Sequence, residues 1–166
     1  LAKYLEKQTI DGKLDLSGKT VLELGSGTGI VGLALAHLQP QCTVVLTDKQ
    51  ELVPLLEQNI ELNHAKNVRA QCLNWATDSV GFEPDVVIVS DGIFARDLHQ
   101  PLADVLKRVA GMGTRVLLAY ETRVFAEEAE FMALWSQHFR FHDIKPADQH
   151  PVMQSEDIFL FEGIRK

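Results

Sequence analysis

Three glycines at alternating positions, directly after a short apolar run, constrain this sequence more than any other feature. The run Thr20–Leu24 contains β-branched side chains and one charged residue, Glu23, and it predicts a buried strand. The loop glycines that follow are Gly25, Gly27 and Gly29. The apolar segment Ile30–Leu38 then predicts a helix. Glycine permits positive φ, and a helix start offers unpaired N–H groups, so this unit predicts a ligand at the carboxyl end of a parallel sheet.

Two nucleotide ligands fit this loop in different frames. The letters G-T-G-I-V-G of residues 27–32 match the dinucleotide fingerprint, and the letters E-L-G-S-G-T-G of residues 23–29 match the loop of S-adenosylmethionine (SAM) enzymes. The dinucleotide pattern needs its first glycine directly after the strand, and that frame would require glycine at Ile30. Glu23 also suits the cationic amino group of SAM better than a pyrophosphate, so SAM is the expected ligand. The predicted contacts in this loop are Glu23, Gly25, Ser26, Gly27 and Gly29.

Polar residues end the next two predicted strands. The second strand ends at Asp48, whose carboxylate can accept hydrogen bonds from both hydroxyls of a ribose. Capping of the following helix is a compatible role for Asp48, and the adjacent Lys49 is placed in the same cofactor site. The third strand ends in Asn74 and Trp75, which can bond and cover an adenine. An anchor at the rim of the core is an equally good interpretation of Trp75.

The exit of the fourth predicted strand is where an open α/β sheet places substrate chemistry. That strand ends at Ser90 and Asp91, and Phe94 follows shortly after. Glu121 and Arg123 stand at the exit of the fifth strand. Two roles stay open for this pair, a mutual ion pair and a part in shaping the acceptor cleft.

The remaining pattern alternates strands with helices. The predicted strands are 20–24, 43–47, 68–73, 85–89, 114–120, 139–144 and 157–164. The predicted helices are 1–7, 30–38, 51–63, 98–109 and 124–138. Five strand–helix units, then two strands around a loop, predict an α/β, doubly wound sheet with an antiparallel hairpin at one end. Most of one helical stripe within 51–63 is predicted to be core, and its members are Leu52, Leu55, Leu56, Ile60 and Leu62.

Length and charge limit the class of protein. The chain has 166 residues, of which 46% are hydrophobic, and this predicts a single domain covering 1–166. Its net charge of -7 disfavours nucleic acid and anionic membranes as partners and favours a basic one. No signal peptide or membrane span is visible, and a monomer in the cytoplasm, or also in the nucleus, is expected. The chain begins at Leu1 rather than Met, within a predicted helix, so its natural N-terminal segment is expected to be missing.

Cysteine and histidine spacing gives no sign of a metal site. Cys42 and Cys72 lack C-x-x-C spacing and are predicted to be buried thiols in a reducing compartment. The 6 histidines form no ligand pair on a common helix face, so no metal is predicted.

Motifs along nearly the whole chain resemble those of a known family. They are V-L-E-L-G-S-G-T-G at 21–29, L-T-D at 46–48, P-L-L-E-Q-N-I-E-L-N at 54–63, L-N-W at 73–75, D-V-V-I-V-S-D at 85–91, L-L-A-Y-E-T-R at 117–123 and I-F-L-F-E at 158–162. The chain resembles the class I, seven-strand SAM-dependent methyltransferases. Within them it is similar to the methyltransferase-like protein-lysine methyltransferases, which carry a D-x-x-Y motif after strand four. The segments 54–63 and 73–75 are more particular to this group than the glycine loop.

The resemblance implies a Rossmann-like sheet of order 3-2-1-4-5-7-6 with strand seven antiparallel, and a substrate motif that starts at Asp91. The SAM-site residues that it implies are Glu23, Gly25, Gly27, Asp48, Trp75 and Ser90. The sequence departs from the family in two places. Phe94 stands where the motif has tyrosine, and an upstream segment whose tryptophan helps to close the SAM pocket lies before Leu1 or is absent. Tyr120 is the one nearby residue that can supply a hydroxyl from another direction.

The reaction implied by the resemblance is methyl transfer from SAM to a lysine ε-amine of a protein substrate. In it Asp91 orients the amine and Phe94 forms an apolar wall, while burial of the lysine near a sulfonium lowers the pKa of the amine. Two alternatives stay open. One is a SAM-binding module whose catalytic motif has decayed at Phe94, and the other is a methyltransferase for a small molecule or a nucleic acid. The lack of an N-P-P-Y motif and the acidic charge weigh against a nucleic acid.

Overall fold

The seven strands form one sheet, and the computed structural model describes all 166 residues. The strands are β1 (Thr20–Leu24), β2 (Thr43–Asp48), β3 (Val68–Cys72), β4 (Val86–Ser90), β5 (Arg115–Glu121), β6 (Phe139–Asp143) and β7 (Ile158–Arg165). The helices are α1 (Ala2–Ile10), α2 (Ile30–Leu38), α3 (Val53–Leu62), α4 (His99–Val109) and α5 (Phe125–His138). Short 3-10 turns span Gln50–Leu52, Arg96–Leu98 and Pro146–Asp148.

The strand order is β3-β2-β1-β4-β5-β7-β6. Neighbouring strands from β3 to β5 pair in parallel, and β7 is antiparallel to both β5 and β6. The predicted doubly wound α/β sheet and its antiparallel hairpin are therefore confirmed. The strand order reverses between β1 and β4, so a crevice opens at their carboxyl ends. The glycine loop after β1 and the exit of β4 both lie at this crevice.

Helices cover both faces of the sheet, and alternate residues of β1 contribute to two separate cores. Leu22 belongs to a buried cluster with Leu106 of α4 and Trp135 of α5. Val21 belongs to a second cluster with Leu35 of α2. Because the central strands are buried on both sides, their sequences are mostly apolar rather than alternating, with Glu23 as the one charged residue inside β1. This explains why short apolar runs were the correct signal for β1, β2 and β4.

The predicted core stripe of α3 is confirmed only in part, because Leu52 and Ile60 are half-buried and Ile60 packs against the second cluster. Only Leu56 of that helix is fully buried, whereas Leu55 and Leu62 are exposed. The helix packs against β2 and β3, and β3 is an edge strand of the sheet. A helix that packs over the edge of a sheet contacts few strands, so only a narrow stripe of its surface is buried. Its apolar periodicity therefore predicts more buried residues than the structure has.

Three further features concern the thiols, the helices and the side chains that could ligate a metal. Cys42 is buried and Cys72 is half-buried, and both are free, so full burial holds for Cys42 alone. None of the helices combines the length and the apolar character that crossing a membrane requires. No three side chains among the histidines, cysteines, aspartates and glutamates form a group that could hold a metal ion.

Candidate active site

The loop after β1 turns through left-handed backbone at each of its glycines. The φ values are 64° at Gly25, 57° at Gly27 and 80° at Gly29. A Cβ atom added at Gly27 would meet no heavy atom within 4 Å, so the backbone there faces open space. A Cβ atom at Gly25 would lie 3.0 Å from the indole ring of Trp75. The loop therefore exposes bare backbone on one side and packs under an aromatic ring on the other.

Ser26 ties this loop to the end of β2. Its N–H donates to the carbonyl oxygen of Thr47 (2.9 Å), and its Oγ accepts from the Thr47 N–H (3.0 Å). The Thr47 hydroxyl in turn donates to the carbonyl oxygen of Glu23 (2.6 Å). These buried bonds fix the loop before any ligand binds. Ser26 was expected to contact the ligand, and the structure shows that its side chain also anchors the loop.

Glu23 is a buried carboxylate within β1. Its Oε2 accepts a hydrogen bond from the N–H of Gly32 in α2 (2.9 Å). Burial raises the pKa of Glu23 to about 7, against the lowering effect of that hydrogen bond and of one with Ser26, and the nearby charge of Asp48 raises it further. A Cβ atom at Gly32 would lie 2.3 Å from Leu46 and 2.6 Å from the Glu23 carboxylate. The glycine that completes the dinucleotide pattern is thus required for helix–strand packing.

Asp48 closes the other side of the loop. Its Oδ2 accepts from the N–H of Gly27 (2.8 Å), and its Oδ1 accepts from the N–H of Lys49 (2.8 Å). The following 3-10 turn has Lys49 at its N-cap position and no side-chain cap. The helix-capping role that was open for Asp48 is therefore not observed, because its carboxylate holds the glycine loop instead. Each oxygen keeps a lone pair for a further donor.

Two cavities open on either side of the glycine loop. The first has a volume of about 580 Å³, and its lining includes Glu23, Gly25, Ser26, Gly27, Ser90, Asp91, Phe94 and Arg123. The second has a volume of about 690 Å³, and its lining includes Gly25, Gly27, Asp48, Lys49, Asn74, Trp75, Asp91 and Phe94. The shared residues are Gly25, Gly27, Asp91 and Phe94. The structure thus brings together all the predicted site residues except Gly29, which lines neither cavity and precedes α2 as its N-cap.

Trp75 combines the two roles that its sequence position left open. Its side chain packs against the buried cluster beneath α4, and its ring also forms a wall of the second cavity. Asn74 lines the same cavity, and its Oδ1 accepts from the N–H of Ala76 (3.0 Å). Its own N–H donates to Asp78 (2.9 Å), so the β3 exit is held as a compact turn.

Asp91 at the exit of β4 forms a two-pronged ion pair with Arg123. The distances are 2.8 Å from Nη1 to Oδ1 and 2.9 Å from Nη2 to Oδ2. Asp91 has φ of 57°, in the left-handed region, and its N–H donates to Ala119 of β5 (2.7 Å). Hydrogen bonding to Arg123 holds the pKa of Asp91 below its usual range despite partial burial. Arg123 also contacts Glu121 (3.1 Å), so the predicted pair exists, but the sequence interpretation missed its main partner.

Phe94 and Tyr120 occupy different environments. Phe94 is 57% exposed and lines both cavities. Tyr120 is buried and its ring stacks on Phe159 and Phe161, on the face of the sheet that packs against α4 and α5. It lines neither cavity. The expectation that Tyr120 can supply the missing hydroxyl is therefore wrong, because strand alternation turns its side chain into the core.

This sheet order and the crevice at its switch point are those of the class I methyltransferase fold. A TehB-like SAM-dependent methyltransferase from Corynebacterium glutamicum superposes with a TM-score of 0.72 over 98% of this chain and 88% of that chain, at 19% identity. Human N-acetylserotonin methyltransferase in complex with SAM gives a TM-score of 0.69 over 96% of this chain and 51% of that chain, at 16% identity. At these identities the likeness concerns the fold alone.

The chain belongs to the lysine methyltransferase family, whose sequence model matches residues 1–138. It is 28% identical to protein N-lysine methyltransferase METTL21A of Mus musculus, over 84% of the chain and 64% of that relative. It is 33% identical to EEF1A lysine methyltransferase 3 of Xenopus tropicalis, over 74% of the chain and 54% of that relative. Protein-lysine N-methyltransferase EFM6 of Saccharomyces cerevisiae is 30% identical over 98% of the chain and 73% of its own length. The resemblance noted from the motifs is confirmed, and the matches to the first two relatives cover less than two thirds of their lengths.

Proposed function

We propose that this protein transfers a methyl group from SAM to the ε-amine of a lysine in a protein substrate. The observation that carries the proposal is the position of Asp91 and Phe94. In a chain of the lysine methyltransferase family, they line both cavities where the glycine loop meets the exit of β4. The relatives are named as protein-lysine methyltransferases, and this supports a lysine acceptor.

The residues present fit SAM. Asp48 offers carboxylate lone pairs to ribose hydroxyls, and Trp75 offers a flat apolar face to an adenine, both in the second cavity. Glu23 lines the first cavity and offers negative charge to an α-amino group. The open space at Gly27 is where a side chain would block a ligand that runs from one cavity to the other.

Catalysis in such a site depends on position and on the protonation of the acceptor. When bound, SAM supplies an electrophilic methyl group carried by a sulfonium. The lysine amine must first lose a proton to water, and its lone pair then forms the N–C bond while the C–S bond breaks, giving a methylammonium and an uncharged thioether. Asp91 orients the amine through a hydrogen bond, and the exposed ring of Phe94 excludes water beside it.

Ligand binding tests the cofactor. Calorimetry should show binding of SAM and of S-adenosylhomocysteine, and weaker or no binding of NAD. Asp48→Ala should weaken SAM binding by about 1–3 kcal/mol, because it removes acceptors from ribose hydroxyls in a largely buried site. An affinity for NAD above that for SAM would refute the cofactor assignment.

Methyl transfer tests the acceptor. The protein is incubated with radiolabelled SAM and either purified EEF1A or a cell lysate, and the labelled proteins are digested for mass spectrometry. We choose EEF1A because a relative is named for it. Methyl-lysine in a labelled protein is the expected result. Label found only in RNA or in small molecules would favour the alternative methyltransferase classes.

A SAM-binding module without catalysis is the second candidate, and Phe94 is the observation that favours it. The family motif has a tyrosine hydroxyl at this position, whereas this chain has phenylalanine, and no tyrosine lines either cavity. The two candidates differ in a simple way. A module binds SAM but transfers no methyl group to any protein, and Phe94→Tyr does not restore transfer.

A further inference from the structure

One cationic side chain lines the first cavity. Arg123 is the only lysine or arginine that lines the first cavity, and both prongs of its guanidinium are bound to Asp91. Both side chains remain about half exposed, so the pair stands at the surface where an acceptor enters. The pair joins the exits of β4 and β5, which are neighbours in the sheet.

The backbone that carries Arg123 is fixed by a second carboxylate. Glu128 of α5 is buried and accepts hydrogen bonds from the N–H groups of Arg123 and Val124 and from the hydroxyl of Thr122. The turn between β5 and α5 is therefore rigid, and it presents the guanidinium to Asp91. Asp91 therefore enters the reaction with both oxygens paired to a guanidinium, and its negative charge is compensated before a substrate binds.

A free carboxylate in this position would oppose the reaction. A negative charge within a few ångströms of a lysine favours the ammonium form and raises the pKa of that lysine by about 1 to 3 units. The ammonium form has no lone pair and cannot attack a methyl group. A carboxylate that is already neutralised by a guanidinium still has an oxygen lone pair to accept an N–H bond, but it no longer holds the proton.

We infer that Arg123 is a positioning residue that cancels the charge of Asp91, so that the acceptor lysine is held there as a neutral amine. This inference rests on the proposed function and assigns the residue that sets its pH dependence. The other titratable groups that act on Arg123 or line the first cavity are all acidic: Glu121 of β5, Glu128 of α5 and Glu23 of β1, the last with a pKa of about 7. Without Arg123 the acceptor would therefore meet an uncompensated negative field.

A competing role for Arg123 is the binding of the SAM carboxylate, because it is the only cation in the first cavity. The two roles predict different effects on two ligands. S-adenosylhomocysteine has no charge at the sulfur, whereas sinefungin carries an ammonium on the carbon that replaces the sulfonium. Both ligands have the same α-amino-acid carboxylate, so a carboxylate-binding Arg123 affects them equally.

Calorimetry at pH 7 with these two ligands is the first test. In Arg123→Gln the affinity for sinefungin should rise relative to that for S-adenosylhomocysteine by about tenfold, because Asp91 is no longer neutralised. Arg123→Lys keeps the charge and should leave the ratio near that of the wild type. A ratio that stays at the wild-type value overturns the inference, and if both affinities also fall equally, carboxylate binding is the role of Arg123 instead. If the wild type binds neither ligand, the proposed function fails, and this inference with it.

The pH profile of methyl transfer is the second test, measured as initial rates on EEF1A or the main labelled protein of the lysate. In Arg123→Gln the acidic limb should move about one unit toward higher pH, with a roughly tenfold lower rate at pH 7 that recovers at high pH. The double variant Asp91→Asn with Arg123→Gln removes both charges, so its limb should return to the wild-type position even though its rate is lower. A merely structural loss lowers the rate at every pH without moving the limb, and that result contradicts the inference. Thermal melting of each variant shows that it is folded.

Discussion

Phe94 shows how one atom can separate two functions at a single position. Its ring lines both cavities and is largely exposed, and no tyrosine reaches the same space. If the missing hydroxyl only helps to orient the acceptor amine, its absence costs one hydrogen bond, about 1–2 kcal/mol. Phe94→Tyr should therefore raise the rate of methyl transfer by roughly five- to thirtyfold and leave SAM affinity nearly unchanged. Single-turnover rates with calorimetry in parallel measure both quantities.

The control for this change is Asp91→Ala, which should abolish transfer and spare most SAM binding. A parent protein and a Phe94→Tyr variant that both bind SAM and both fail to methylate any protein would establish the binding module. The two measurements therefore distinguish a slow methyltransferase from a protein that binds SAM without transferring its methyl group.

Glu23 makes the stability of the protein depend on pH near neutrality. Its pKa is raised from 4.5 to about 7 in the folded state because the carboxyl is buried. The folded state thus binds a proton more tightly than the unfolded state between these values, so stability falls as pH rises through this window and is constant above it. The total change attributable to this group is about 3 kcal/mol.

Glu23→Gln tests this contribution, because glutamine keeps an acceptor for the N–H of Gly32 and cannot ionise. Denaturant unfolding of both proteins from pH 5 to pH 8 should show the wild type losing stability relative to the variant as pH rises. A constant difference between the two proteins over that range would mean that Glu23 has an ordinary pKa in the folded state.

At the scale of elements, the turn between β5 and α5 depends on Glu128. Its carboxylate satisfies three donors, from Thr122, Arg123 and Val124. Glu128→Gln keeps one acceptor oxygen and loses the charge-assisted bonds, at an expected cost of about 2 kcal/mol. This should lower the melting temperature by roughly 4–8 °C. Glu127→Gln, at a half-buried neighbour on the same helix whose carboxylate makes no hydrogen bond or ion pair, is the matched control and should leave it unchanged. Equal melting of the two variants would show that the turn does not need this carboxylate.

The sequence predicted the elements well because glycine, proline and apolar runs mark their ends. β1 and α2 have the predicted bounds, and β5 spans Arg115–Glu121 where 114–120 was predicted. The burial of α3 was not predictable in the same way, since periodicity reveals an apolar stripe but not the width of sheet beneath it. Its position over the edge strand β3 depends on the strand order, which was available only through the family resemblance.

The site residues at strand ends were predictable from the sequence, whereas the contacts between different strand exits were not. Strand ends were predictable because parallel strands bring their carboxyl ends to one edge, and this located Asp48, Trp75 and Asp91. The pairing of Asp91 with Arg123 spans 32 residues and depends on β4 and β5 being neighbours. The signal in the sequence that could have predicted this pair was an acidic residue after β4 and a basic residue after β5. Tyr120 shares a face of β5 with Val116 and Leu118, and strand alternation therefore turns its side chain into the core. Its nearness to the strand exit in the sequence was not enough to predict this direction.

At the scale of the whole molecule, the surface beside the acceptor site combines apolar and acidic groups. Two ion pairs, Asp91 with Arg123 and Arg96 with Glu130, join the segment after β4 to the start of α5. Exposed apolar side chains lie on these two segments, and they are Phe94, Val124 and Phe125. Glu121 and Asp157 nearby are exposed acids, Glu127 is a half-buried one, and the net charge of the chain is -7. This combination suits a basic protein surface with an apolar side chain close to the target lysine.

Phe125 gives this idea a direct test, because it is 83% exposed and contributes nothing to the core. Phe125→Ser should raise the KM for the protein substrate by roughly tenfold, since an exposed aromatic anchor lost from an interface costs on the order of 1–2 kcal/mol. Its SAM affinity and its melting temperature should not change. Met112→Ser is the matched control. Met112 is 69% exposed but lies in the turn before β5, at the amino ends of the parallel strands and away from the site at their carboxyl ends. Equal KM values for the two variants would show that the substrate approaches from elsewhere, while a higher KM in Phe125→Ser alone places docking beside Asp91.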